Sequence, residues 1–117
     1  MMNRMKKELL VLRQTAAFVQ KDFEVEHIPS DVTEAELLAF LEHFIQNLID
    51  NDLEQLFYIL YRLDINERKV HQALAPSASE LPHQVLAQLI FQREKQKAIT
   101  RIEYAAENKD EGDGWNN

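Results

Sequence analysis

Apolar residues return every three or four positions along most of this chain, the interval that lines one face of an α-helix. From residue 3 to about 24, Met5, Leu9, Leu12, Ala16, Val19 and Phe23 recur at steps of four, three, four, three and four. That is the heptad seam of a helix packed on another helix. Val11 and Phe18 widen the seam. Residues 25–33 contain Pro29, Ser30 and Asp31 and read as a loop. Thr33 followed by Glu36 has capping-box spacing and opens a second helix, predicted to run to Ile49. Its apolar row is Leu37, Leu41, Phe44 and Leu48, flanked by Leu38, Ile45 and Ile49, with Glu34, Glu36, Glu42 and Asn47 on the wet side.

Asn51 and Asp52 can cap a new helix start. The third helix, to about Leu63, is apolar on most sides through Leu53, Leu56, Phe57, Ile59, Leu60 and Leu63, with Tyr58 and Tyr61 adding rings. Such a helix is expected at the centre of the core. Asp64 and Glu67 repeat the capping-box spacing and open a short fourth helix through Val70 to Leu74. Residues 75–81 (APSASEL) form a loop, and Pro82 suits the first turn of a last, long helix over 82–107. Val85, Leu86, Leu89 and Ile90 give that helix a strong first half; Ile99, Ile102 and Ala106 continue it less strongly. The intervening QREKQK, residues 92–97, has no apolar member. The second half is therefore expected to project beyond the core or to pack through long charged side chains. Residues 108–117 have no apolar period and read as a flexible acidic tail.

The predicted architecture is all-α: a compact bundle of about five helices, three long and one short. It forms a single domain over 1–107, with the tail at 108–117. Composition agrees. The 117 residues include two Gly and three Pro, and the apolar fraction is 45%. Few breakers and abundant Leu, Ala, Glu, Gln and Lys favour helix over sheet. The absence of Cys excludes disulfides, thiol catalysis and Cys-ligated zinc. No run approaches the ~20 apolar residues of a membrane span. Glu8 and Arg13 interrupt the apolar run a signal peptide would need. The chain reads as cytoplasmic by default, with no membrane partner.

Charge changes the picture more. The net charge is −7, which makes general nucleic-acid binding an unfavoured reading. Residues 1–24 carry five basic and three acidic groups, whereas residues 25–66 carry nine acidic groups and one basic, Arg62. An acidic middle packed between weakly basic flanking helices is the simplest account. In the last helix, Arg93, Lys97 and Arg101 stand four apart and form a basic stripe, with Lys95 nearby. It can contact phosphate or an acidic partner, or pair internally with the acidic helices. It has no interleaved aromatics, and the seven-residue break at 75–81 is too long for a helix-turn-helix.

Other constellations are sparse. Glu80 and His83 have a metal-site spacing, but a carboxylate-bridged site needs two such motifs and two further Glu. The glycine register of the tail fails a calcium loop, and no glycine loop or nucleophile motif occurs. No metal or cofactor is expected. Tyr58, Arg62 and His71 form a candidate ligand pocket between the third and fourth helices, with Arg62 as an anion clamp and Tyr58 as a proton donor. Trp115, the one Trp, lies in the tail as a candidate docking residue.

The function read from these residues is a non-enzymatic helical interaction or oligomerisation domain. Its partner would be a second copy or another protein, and the candidate seam is Met5, Leu9, Leu12, Val19 and Phe23. The alternatives are a small-ligand-binding or enzymatic domain at Tyr58, Arg62 and His71, and phosphate or nucleic-acid contact through Arg93, Lys97 and Arg101.

Overall fold

The computed structural model describes residues 3–112, and among them five α-helices follow one another with no strand. They are α1 (Arg4–Asp22), α2 (Glu34–Asn51), α3 (Leu53–Arg62), α4 (Glu67–Leu74) and α5 (Pro82–Gly112). The fold is all-α, with α1, α2 and α5 long and α4 the shortest. Helix α5 continues five residues past the expected end at 107, and Trp115 lies outside the described residues.

Each start has a local cause. Asn3, Thr33, Asp52 and Asn66 accept hydrogen bonds from Lys6, Glu36, Gln55 and Lys69 backbone N–H groups, so each satisfies one orphan donor of its helix. Thr33 and Glu36 form the full reciprocal box. The expected cap of α4 is displaced: Asn66 holds it, and Asp64 instead terminates α3 in the left-handed region at φ 58°.

The ends of α1 and α3 share one device. Val25 N–H donates to the Gln20 carbonyl and Glu24 N–H to that of Lys21. Ile65 N–H donates to Leu60 and Asp64 N–H to Tyr61. These are Schellman closures, which put one residue in the left-handed region and usually place Gly there. Here Glu24 (φ 55°) and Asp64 take that position.

The centre of the fold is α5, a correction to the expectation for α3. Helix α5 packs against α1, α2 and α4, while α3 packs on α2. Leu86, Ala87, Ile90, Phe91, Glu94 and Ala98 of α5 are buried, together with Leu37, Leu41, Ile45 and Leu48 of α2. Phe44 stands beside the α2 row and meets Phe23 edge-on at 5.2 Å between ring centroids. Helix α3 buries Leu56, Ile59 and Leu60, but Phe57 is 44% and Tyr61 81% exposed. A ten-residue helix at the edge of a bundle has one face to bury, and its extra apolar residues turn outward.

The principal extents are 55 × 27 × 26 Å, with a radius of gyration of 16.4 Å. A compact chain of this size would have a radius of about 13 Å. The excess follows from α5. At about 1.5 Å rise per residue its 31 residues alone span roughly 46 Å. No helix of the described residues is long and apolar enough to cross a membrane.

Candidate functional site

The most unusual chemistry lies where α1 meets α5. Leu86, Ile90, Glu94 and Ala98 stand four apart on the buried seam of α5, so Glu94 occupies a core position and is fully buried. Its Oε1 accepts from Lys97 Nζ at 2.9 Å, and its Oε2 has no hydrogen-bond partner. The same ammonium donates to Asp22 Oδ2 of α1, also at 2.9 Å. The Phe18 ring lies 4.6 Å from Lys97 Nζ and 5.8 Å from the Arg101 guanidinium. The Lys97 cation is therefore held by two carboxyl groups and an aromatic face.

Burial pushes the Glu94 carboxyl up to about 7; hydrogen bonding to Asp22 and the Asp22 charge add to the rise, and Lys97 opposes it. Burial also works against ionised Asp22. Hydrogen bonds from Glu94 and Lys97, with the charges of Lys97 and Arg62, win there and hold it below the ordinary carboxylate value. Lys97 is likewise penalised by burial, yet its bonds to Asp22 and Glu94 hold its pKa above the usual lysine value. A small recess of about 120 Å³ adjoins this cluster, lined by Asp22, Ile59, Arg62, Leu63 and Lys97.

Two larger surface grooves flank the core. One, of about 710 Å³, runs between α1 and α5. Its apolar lining includes Met5, Leu9, Val11, Leu12, Phe91 and Ile99. Arg4, Lys7 and Lys95 bring positive charge to it, and Glu8, Glu34 and Glu103 bring negative charge. The buried Thr15 hydroxyl, also on its wall, is satisfied by the Val11 carbonyl at 2.7 Å. The other groove, of about 720 Å³, lies between α3 and α4, with Phe57, Tyr61, Asp64, Glu67, Arg68 and His71 along it.

The residues singled out in the sequence are distributed among these places. Arg62 stacks over the Tyr58 ring at 5.7 Å and lines the small recess, whereas His71 lines the α3–α4 groove. A groove does lie between the third and fourth helices, but Arg62 is not on its wall. Of the basic stripe, Arg93 Nε donates to the Leu63 carbonyl at 2.8 Å and so closes the end of α3. Lys97 is internally paired, and Arg101 remains exposed beside Phe18. Of the seam, Val19 and Phe23 are buried in the chain's own core, Leu12 is half-buried, and Met5 and Leu9 are 74% and 50% exposed.

Asp22 and Glu94 were not among the residues the sequence pointed to. The available signal was the register of α5, in which one acidic residue continues the row from Leu86 and Ile90 to Ala98. Compared with protein families, with curated proteins and with solved structures, the chain matches none.

Proposed function

We propose that this protein is a non-enzymatic helical self-association module whose contact surface is the α1–α5 groove. The observation that carries the reading is the unpartnered apolar lining of that groove, with Met5 and Leu9 largely uncovered at its outer end. Apolar side chains left uncovered beside one another favour association.

A second copy is the occupant that the charges favour. The groove carries three cationic and three anionic side chains, so a twofold-related copy can set each sign against its opposite. The sequence repeats the pattern at larger scale. The first ten residues of α1 hold four basic groups and one acidic, and the last ten of α5 hold four acidic and one basic. Glu94, the carboxyl with a raised pKa among the described residues, is fully buried in the α1–α5 contact, which favours a structural role for it.

Light scattering across a concentration series tests this reading. The wild type is expected at twice its 13.7 kDa chain mass, and Leu9→Asp at the monomer mass with unchanged helicity. A wild type that stays monomeric at every concentration would sink it.

A further inference from the structure

The buried polar group between α1 and α5 has a second consequence. Glu94 has no exposed surface, and no protein group donates a hydrogen bond to its Oε2. Asp22, only 14% exposed in its side chain, competes for the same ammonium. Two carboxylates and one ammonium would leave a net negative charge in the core with an orphaned acceptor atom, an arrangement that burial disfavours. One hydrogen on Glu94 Oε2 removes both faults. With that proton Glu94 can donate to Asp22, the carboxylate that shares Lys97 with it and whose pKa a hydrogen bond with Glu94 lowers, and the three groups sum to zero charge.

We propose that Asp22 and Glu94 form a single-proton site that clamps α1 to α5 while occupied and loosens it when the proton leaves. The charged groups facing the site are Lys97 of α5 and, acting on Asp22, Arg62 of α3. Arg93 and Arg101 of α5 are engaged elsewhere, on the Leu63 carbonyl and the Phe18 ring. The raised pKa of Glu94, about 7, agrees with a site that holds its proton up to neutrality. All of these groups belong to one chain, so the inference stands independently of self-association.

The proton count sets the direction. In the closed protein Glu94 keeps its proton to about pH 7; once α1 parts from α5 and water enters, the ordinary value of 4.5 returns. Opening therefore releases one proton between those limits, and the opening equilibrium rises about tenfold per pH unit. Above 7 both forms are ionised and the dependence stops.

The experiment is amide hydrogen exchange on the full chain from pH 5 to 8, corrected for intrinsic exchange rates and read at the amides of residues 16–22. Wild type is compared with Glu94→Gln, an isostere of the protonated acid. In parallel, the Glu94 carboxyl is titrated by carbon-13 NMR in the wild type. Opening is expected to rise about fortyfold between pH 5 and 7 and less than about twofold further by pH 8, with that rise absent in E94Q. The Glu94 carboxyl is expected to titrate near neutrality. A Glu94 carboxyl titrating near its ordinary value overturns the proposal, as does an exchange slope unchanged in E94Q. The wild-type titration decides the matter even where the variant fails to fold.

Discussion

Residue scale. Three groups at the α1–α5 contact give the stability of this protein a pH profile with opposing parts. The folded pKa of Asp22 is depressed, so its contribution is present above the unfolded value of 3.8 and is lost as pH falls through the folded value. Lys97 has a raised pKa, so its contribution is present below 10.5 and is lost as pH rises through its folded value. Glu94 acts in the opposite sense to Asp22. Its folded state binds a proton more tightly than its unfolded state, so stability falls as pH rises from 4.5 to about 7. The size of that fall is on the order of 3 kcal/mol, at about 1.4 kcal/mol per pKa unit. Thermal melts should therefore show a higher midpoint at pH 5 than at pH 8. Glu94→Gln should remove most of the difference by raising the pH 8 midpoint; an equal pH effect in wild type and E94Q would assign it to the general charge of −7 instead.

Glu24 sits at φ 55° in the Schellman closure of α1, a conformation that costs a residue with a Cβ roughly 1–2 kcal/mol. Glycine has no such penalty there, though it loses more chain entropy on folding. Glu24→Gly is expected to raise stability by about 0.5–1 kcal/mol, read as a higher urea midpoint with an unchanged slope. Glycine's scarcity also explains what the sequence concealed. Helix ends are recognised by Gly just past the last turn, and the chain's two glycines, Gly112 and Gly114, lie far from both closures. Asp64 consequently resembled a helix start, when its place is the end of α3 and the start belongs to Asn66.

Element scale. The elements themselves were legible because helix period and capping chemistry agree. Thr33 and Glu36 specify one helix start, and Asp52 another. The order of burial was less legible. Helix α3 has the denser apolar run, yet α5 holds the centre, because burial depends on how many neighbours surround a helix and hydrophobicity alone does not count them. Residues 92–97, with no apolar member, leave open whether the second half of α5 projects beyond the core or packs through long charged side chains. In the fold, Glu94 is buried there, Arg93 reaches the end of α3, and Lys97 reaches Asp22. Long charged side chains carry this stretch of helix through the core's edge. The candidate cluster was hidden for the same reason: Asp22 and Lys97 are 75 residues apart, and only the crossing of α1 and α5 brings them together. The two phenylalanines of these helices separate the alternatives. Phe91→Ala in α5 should cost about 3–5 kcal/mol as a fully buried ring is removed. Phe57→Ala in α3, at an exposed position, should cost less than about 1 kcal/mol. Comparable losses in the two variants would mean that α3 shares the centre.

Whole-molecule scale. The long axis of 55 Å is set by α5, and the start of α1 accompanies its outer half. Residues 3–9 are exposed throughout, and the ion pair that joins them to α5, Lys7 to Glu103 at 3.6 Å, is itself half-exposed and worth little. The first turns of α1 therefore add almost nothing to the chain's own core, although Met5 and Leu9 belong to the apolar lining of the groove. A segment that contributes little to folding yet keeps apolar side chains uncovered fits a role in association, and deletion separates the two roles. Removing residues 1–9 leaves Val11, Ala16, Val19 and Phe23 to hold α1 on the core. The shortened chain should keep its helical spectrum and lose no more than about 1 kcal/mol, the scale of a lost N-cap, while light scattering shows a monomer. A dimer mass in the shortened chain would move the proposed contact surface away from this groove. Global unfolding would show that the first turns of α1 stabilise the chain itself, leaving the uncovered Met5 and Leu9 without the role assigned to them.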